Sequence, residues 1–99
     1  MKYLTDRMAI DVFATLPATF DSHGFEFKMQ GLYPVEFRKE LNWFRNRKDL
    51  KRKDRVQSFS IAMGRWLLKF TGYIAKINRR PKTKNLRGRT TKNREWQKM

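Results

Sequence analysis

The chain of 99 residues contains no cysteine and a single histidine, His23. Without cysteine there are no disulfides, thiolate metal ligands or cysteine nucleophile, and this fits an intracellular protein. His23 lies beside Ser22 and Gly24, where we expect a turn or a helix start. A metal site needs several ligands, and a general base needs a nucleophile and an orienting group. The sequence therefore predicts neither a metal site nor a cofactor.

Long uncharged apolar runs are missing too, and the five glycines are scattered. A membrane-spanning helix needs about 20 mostly apolar residues, and a signal peptide needs an apolar segment near its start. The opening MKYLTDR is too charged for a signal peptide. Glycines this far apart do not form a phosphate-binding loop. We therefore expect a soluble cytoplasmic protein with no membrane partner.

Acidic residues are few, nine in all, and they form no complete catalytic pattern. Glu26 and Lys28 have the Glu-x-Lys spacing of a nuclease strand, for which Asp21 or Asp11 would have to supply the other metal ligand, but Asp21 lies only five residues upstream and leaves little chain for a separate strand. Glu36 and Glu40 share a helix face near basic residues, which favours surface ion pairs of small energetic worth. The sequence therefore predicts a protein that is not an enzyme.

What the chain does have is a strong charge asymmetry. Residues 1–44 carry five basic side chains against six acidic ones, and residues 45–99 carry nineteen against three, so the net charge of +15 divides into −1 and +16. Like charges destabilise a compact domain, so the asymmetry indicates a surface for a polyanion. A single basic run is usually a solvated surface, but two basic stretches flanking one amphipathic helix favour nucleic acid as the partner.

The aromatic residues, eight Phe, three Trp and three Tyr, supply the apolar area that a single small core needs. Several lie on expected core faces and are assigned to packing rather than to base stacking: Phe13, Phe37, Phe44, Phe59 and Phe70. Trp96 is expected to cover the core from the last strand. Trp43 and Trp66 fall off the main apolar stripes, so each is either a second core contact or a surface for a protein partner.

Two helices are predicted in the first half. Residues 5–16 begin with Thr5, which suits an N-cap, and their apolar positions 8, 9, 12, 13 and 16 share one face before Pro17 ends the helix. The second helix is predicted from Pro34 to about Arg47. Proline is favoured at the first helical position, and apolar residues recur at positions 37, 41 and 44.

Residues 18–33, between these helices, fit two patterns. Apolar residues at 25, 27 and 29 alternate with charged ones as in a half-buried strand, whereas Asp21 or Ser22 suits the cap of a short helix. We favour an extended piece at residues 19–20, a capped helix through about Gln30 and a break at Gly31.

The strongest helical pattern covers residues 55–70, after a polar basic connection over residues 46–55. Its buried stripe is expected to comprise Val56, Phe59, Met63, Leu67 and Phe70, with Gly72 as a stop. Residues 73–77 then alternate like a strand, residues 79–88 form a turn-rich basic loop, and residues 89–96 have the composition of a returning strand. This predicts a β-hairpin with a positively charged tip.

The order of these elements resembles the winged-helix variant of the helix-turn-helix. Residues 55–96 carry the resemblance most closely, in the form Gly72-Tyr-Ile-Ala-Lys-Ile-Asn-Arg-Arg80, then Gly88-Arg-Thr-Thr91 and Trp96. It implies a single, mainly helical domain over residues 1–99, with helical support in 1–54, a recognition helix in 55–70 and a wing hairpin in 73–96. Residues 31–54 exceed the tight turn that usually precedes a recognition helix, which indicates an inserted helix.

The implied partner is double-stranded DNA, bound by a regulator of transcription or an accessory factor, nucleoid-associated when DNA-bound. Helix residues that approach base edges would be Arg55, Gln57, Ser58, Ser60 and Arg65. Wing residues that follow the phosphates would be Arg79, Arg80, Lys82, Lys84, Arg87 and Arg89.

Two alternatives remain, and the sequence leaves the oligomeric state open. A basic RNA-associated protein would carry the same charge, although no aromatic RNA-binding motif is present. An inhibitor or adaptor of a nucleic-acid enzyme would instead use Trp43 or Trp66 as an anchor for its protein partner.

Overall fold

The computed structural model describes all 99 residues as helices followed by a strand-rich C-terminus. The helices are α1 (Asp6–Thr15), α2 (Ser22–Leu32), α3 (Pro34–Arg45) and α4 (Arg55–Leu67), with a 3₁₀ turn at Arg52–Asp54 before α4. The strands are β1 (Thr19–Asp21), β2 (Ile74–Ile77), β3 (Lys82–Lys84), β4 (Thr90–Lys92) and β5 (Glu95–Lys98). None of the helices is both long and apolar enough to cross a membrane.

Side-chain caps explain where the first two helices begin. The Thr5 side chain accepts a hydrogen bond from the Met8 amide at 3.2 Å, and Asp21 Oδ1 accepts one from the Gly24 amide at 2.7 Å. The predicted cap at Thr5 is confirmed, and residues 18–33 form strand β1 and then helix α2. The predicted break at Gly31 is wrong. α2 continues through Gly31 to Leu32. It ends there because Pro34 disfavours helical geometry at the residue before it, Tyr33.

α3 and α4 are shorter than predicted. α3 ends at Arg45 rather than Arg47, and α4 ends at Leu67 rather than Phe70. The amides of residues 68, 69 and 70 bond to carbonyls three residues earlier, so the chain turns more tightly than an α-helix and Phe70 still reaches the core. Val56 is only half-buried rather than part of the core.

The C-terminal hairpin is a long ribbon in two sections. β5 lies between β1 and β2 in a three-stranded antiparallel sheet, and β3 pairs with β4 in a separate two-stranded ribbon. The predicted loop over residues 79–88 therefore contains a strand, and the predicted strand over 89–96 is divided. The division falls at Asn93, whose backbone amide and side-chain amide both donate to the Pro81 carbonyl.

The core joins the four helices to the three-stranded sheet. The Phe59 ring packs edge-on against Phe37 and Phe44, with centroids 5.3 and 5.4 Å apart, and Phe13 packs against Phe70 at 5.3 Å. All five phenylalanines assigned to the core are buried, and Trp96 covers it from β5 as predicted.

The other two tryptophans differ from each other. Trp66 is a core contact, and its indole N–H donates to Asp6 Oδ1 at 3.2 Å. It is therefore closed to a protein partner. Trp43 is 40% exposed, and the Arg47 guanidinium lies 5.3 Å from its ring centroid.

The prediction of a surface ion pair at Glu40 is wrong. Glu40 is 1% exposed. Its Oε1 accepts hydrogen bonds from the backbone amides of Tyr3 and Leu4 at 2.7 and 3.0 Å, and its Oε2 accepts one from Lys2 at 3.2 Å. The carboxylate thus fixes the N-terminal segment against α3, a contact that the spacing within α3 does not encode.

Candidate nucleic-acid interface

A groove of about 480 Å³ separates α4 from the C-terminal hairpin. α4 forms one wall, β4 and the hairpin tip form the other, and the first turns of α2 form the floor. Six basic side chains line it: Arg65 from α4, and Arg80, Arg87, Arg89, Lys92 and Arg94 from the hairpin. The one acidic residue in the lining is Glu26, so the groove carries strong positive charge at its walls.

The α4 wall uses a helix face that the core does not occupy. Residues of this wall recur every three or four positions: Gln57, Ser60, Ile61, Gly64, Arg65 and Leu68. Ile61 and Leu68 are 48% and 45% exposed although both are large and apolar. A Cβ built on Gly64 meets no atom within 4 Å, so packing does not require a glycine there. The α4 wall is therefore accessible and partly apolar, and it has no side chain at Gly64.

The hairpin tip has a defined conformation. Asn85 Oδ1 accepts hydrogen bonds from the amides of Arg87 and Arg89 at 2.9 and 3.1 Å, and the Asn85 amide donates to the Arg89 carbonyl. Gly88 has φ +75, a left-handed conformation that glycine adopts without strain. The turn places Arg87 and Arg89 on the two sides of Gly88, and both arginines line the groove.

A polar cluster of Asp21, His23, Thr83 and Asn93 fastens the hairpin to the floor. Asp21 Oδ2 accepts a hydrogen bond from the Thr83 hydroxyl at 2.7 Å and one from Asn93 Nδ2 at 3.4 Å. Asn93 Oδ1 in turn accepts the His23 amide at 2.9 Å. These bonds tie β3 and Asn93 to the start of α2, so they set the spacing between the hairpin and α4.

The hydrogen bonds of this cluster determine which ring nitrogen of His23 carries the proton. The Thr83 hydroxyl has one proton, which it donates to Asp21, so at 2.9 Å it accepts from His23 Nδ1. Burial lowers the pKa of His23, and the charge of Asp21 partly opposes this. The neutral ring then carries its proton on Nδ1 and leaves Nε2 as an acceptor in a residue that lines the groove.

Glu26 lies in the floor between α4 and the hairpin. It is 1% exposed, and its Oε1 is buried without a hydrogen-bond partner. Burial raises the pKa of Glu26 to about 8, the Ser60 hydroxyl opposes the rise by hydrogen bonding, and the charge of Asp21 adds to it. At neutral pH the carboxyl group is therefore mostly protonated.

The groove brings together about half of the residues proposed from the sequence. Gln57, Ser60, Arg65, Arg80, Arg87 and Arg89 line it, whereas Arg55, Ser58, Arg79, Lys82 and Lys84 do not. Arg55 donates to the Arg45 and Leu50 carbonyls at 2.7 and 3.3 Å, so it closes the connection between α3 and α4 instead of facing outward. Arg79 forms a two-pronged ion pair with Glu95, with Nε 2.8 Å from Oε2.

Lys82 and Lys84 are exposed on the face of β3 opposite Thr83, since side chains alternate along a strand. Lys82 stands directly across from Lys92 in the ribbon. Like charges in such a pair destabilise it, so the hairpin carries this charge at a cost to its own stability.

Sequence reasoning missed Lys92, Arg94, His23 and Glu26 as groove residues. The first two were visible as basic residues of the returning strand. The last two depend on α2 passing beneath the hairpin, a tertiary arrangement with no local signal. No family model, curated protein or solved structure matches the chain.

Proposed function

We propose that the protein is a non-catalytic duplex DNA-binding protein of winged-helix type, a regulator or accessory factor that acts in the cytoplasm. The observation that carries the proposal is the groove itself, which is lined by Arg65 of α4 on one side and by five basic side chains of the hairpin on the other. Two sequence segments about twenty residues apart contribute to one charged surface, which a solubilising charge run would not require.

The length of α4 suits a duplex. α4 has 13 residues and is therefore about 20 Å long, and a major groove about 12 Å wide admits one helix. The element order, with a strand between α1 and α2 and a hairpin after the last helix, supports the winged-helix assignment. α3 takes the place of the inserted helix.

The contacts proposed for this interface divide by wall. Gln57, Ser60 and Arg65 on α4 approach base edges, and glutamine and arginine make bidentate contacts there. The arginines at positions 80, 87, 89 and 94 contact phosphates, which give affinity without sequence preference. Arg55 and Arg79 are left out because protein groups already bind their guanidinium groups.

The salt dependence of DNA affinity tests this proposal. With the four arginine–phosphate contacts proposed above, the slope of log affinity against log salt concentration should be about −4, from roughly −0.9 per contact. Replacing Arg87 and Arg89 by Ala should flatten the slope by about two units. Arg38 and Lys39, exposed on α3, provide the control, and their double alanine variant should keep the slope. A slope near zero for the native protein would contradict DNA binding.

A further inference from the structure

The floor of the groove differs chemically from its walls. The walls present arginines, which suit phosphates, whereas the floor presents a buried carboxyl group with one unpartnered oxygen. Buried polar atoms in folded proteins nearly always have a partner, and leaving one without costs stability. Phosphate binding alone gives no reason for an acid in this position.

The sides of the groove next to this carboxyl are apolar. Ile61 on α4 and Leu68 just after its end expose nearly half of their surface, and Leu86 of the hairpin lines the same groove. Gly64 lies between Ile61 and Leu68 and adds no side chain, so the α4 backbone is open to close approach. A flat, largely apolar body with polar atoms on one edge would fit between these surfaces.

The volume supports such a ligand. About 480 Å³ lies within the ~300–1,000 Å³ range of pockets that take small organic groups. A flat heterocycle with a polar edge and a phosphate attached is the description of a nucleotide.

We propose that the groove holds one unpaired nucleotide of the bound DNA, with the base between α4 and the hairpin, its polar edge on Glu26, and its phosphate on the wall arginines. This inference rests on the proposed function and names the part of the DNA that this groove recognises. The base enters from an unpaired position because removing a paired base from the duplex costs a few kcal/mol.

The protonation state of the Glu26 carboxyl determines whether it can pair with a base. A protonated carboxyl places an O–H donor beside a C=O acceptor. The pairing edge of each of the four bases also has a donor beside an acceptor: an amino group beside a ring nitrogen in adenine and cytosine, and a ring N–H beside a carbonyl in guanine and thymine. A protonated Glu26 therefore complements any unpaired base at neutral pH, whereas the ionised carboxylate has no donor and complements adenine and thymine poorly.

Three labelled duplexes that differ at one position test the inference by fluorescence anisotropy. One is fully paired, one carries an extra unpaired adenine and one carries an extra unpaired thymine. The adenine and thymine duplexes should both bind about tenfold more tightly than the paired duplex, as one bidentate base contact allows. Equal affinities with the salt slope retained would overturn this inference alone. Salt-independent or absent binding to all three would overturn the proposed function as well.

Two substitutions separate a base contact from a change in folding. Glu26→Gln retains a donor beside an acceptor and should keep the preference for unpaired adenine. Glu26→Met has similar volume without polar atoms and should reduce the adenine duplex to the affinity of the paired one, with the paired duplex unaffected. Retained adenine preference in the methionine variant would overturn the inference.

A pH series gives an answer even if Glu26→Met unfolds. The charged or titratable groups around Glu26 are Asp21 from β1, His23 from α2, Arg65 from α4, and the hairpin arginines together with Lys92. Raising the pH from 7 to 9 ionises Glu26 and should abolish the adenine preference of the native protein. The preference should persist in Glu26→Gln, which controls for every other group. Loss of preference in both proteins, or in neither, would contradict the assignment to Glu26.

Discussion

Two glutamates, Glu40 and Glu26, are equally buried in this molecule, and their surroundings are opposite. Glu40 on α3 accepts three backbone amides of the N-terminal segment, so its burial is compensated by hydrogen bonds. Glu26 on α2 has an unpartnered oxygen and a pKa raised to about 8. The first arrangement stabilises the fold, and the second costs stability at the base of a charged groove. A buried acid that the fold does not satisfy is the stronger indication of a ligand.

The largest effect should appear in the pH dependence of stability. The ordinary pKa of Glu26 is 4.5 and its folded value is about 8, so the folded state binds more protons between these values and stability falls as pH rises through this window. The loss should reach on the order of 3 to 5 kcal/mol by pH 8. Urea titrations at pH 5, 7 and 8.5 measure it.

Glu26→Gln provides the control for that series. The amide is neutral at every pH, so the variant should match the native protein at pH 5 and exceed its stability at pH 8.5. If both proteins lose stability equally between these pH values, the titrating group lies elsewhere.

Replacing the other buried glutamate by glutamine, Glu40→Gln, should destabilise the protein instead of stabilising it. Glu40→Gln removes the negative charge that three amide donors share and places an NH₂ group against them. It should destabilise the protein by about 2 to 4 kcal/mol, because hydrogen bonds to a charged group contribute more than neutral ones. Thermal melting at pH 8 compares the two variants directly, and a stabilising Glu40→Gln would show that the N-terminal segment does not dock as described.

A smaller effect is expected where the hairpin meets the floor. Asn93→Ala removes the donor to the Pro81 carbonyl and the acceptor for the His23 amide, both in a buried residue. It should cost about 1 to 3 kcal/mol. It should also weaken DNA binding by more than its stability loss explains, because the hairpin wall is no longer held at a fixed distance from α4. Asn42, exposed on α3, offers the control substitution to Ala.

The sequence predicted what local rules control. The Thr5 cap, the helical stripe through Phe59, Met63 and Leu67, and the existence of a basic hairpin follow from periodicity, capping and turn composition. These features depend on neighbours within a few residues, so the sequence displays them directly.

Tertiary contacts account for what the sequence did not predict. Glu40 and Glu36 share one helix face, yet only Glu40 meets the N-terminal segment, a partner 36 to 38 residues away. Arg55 lies at the start of α4, where a base contact is expected, but its guanidinium donates a hydrogen bond to the Arg45 carbonyl. Glu26 becomes the groove floor only because β5 pairs with β1 and brings the hairpin over α2.

The smallest expected effect on stability is that of Gly64→Ala, which should change stability and DNA affinity in opposite directions. Gly64→Ala adds one methyl group at a half-buried helical position where a Cβ meets nothing within 4 Å. Alanine should stabilise α4 by about 0.5 to 1 kcal/mol through its helix propensity. If a ligand approaches the α4 backbone in the groove, the same methyl group should reduce DNA affinity severalfold.

Gly31→Ala is the matched control, because Gly31 is also helical and its Cβ also meets nothing within 4 Å. It lies near the end of α2, outside the groove, so it should raise the melting temperature without changing affinity. A Gly64→Ala protein that is more stable and binds DNA as tightly as the native protein would show that no ligand reaches the middle of α4. In that case the groove is a gap between α4 and the basic hairpin, and the unpartnered oxygen of Glu26 has no ligand to explain it.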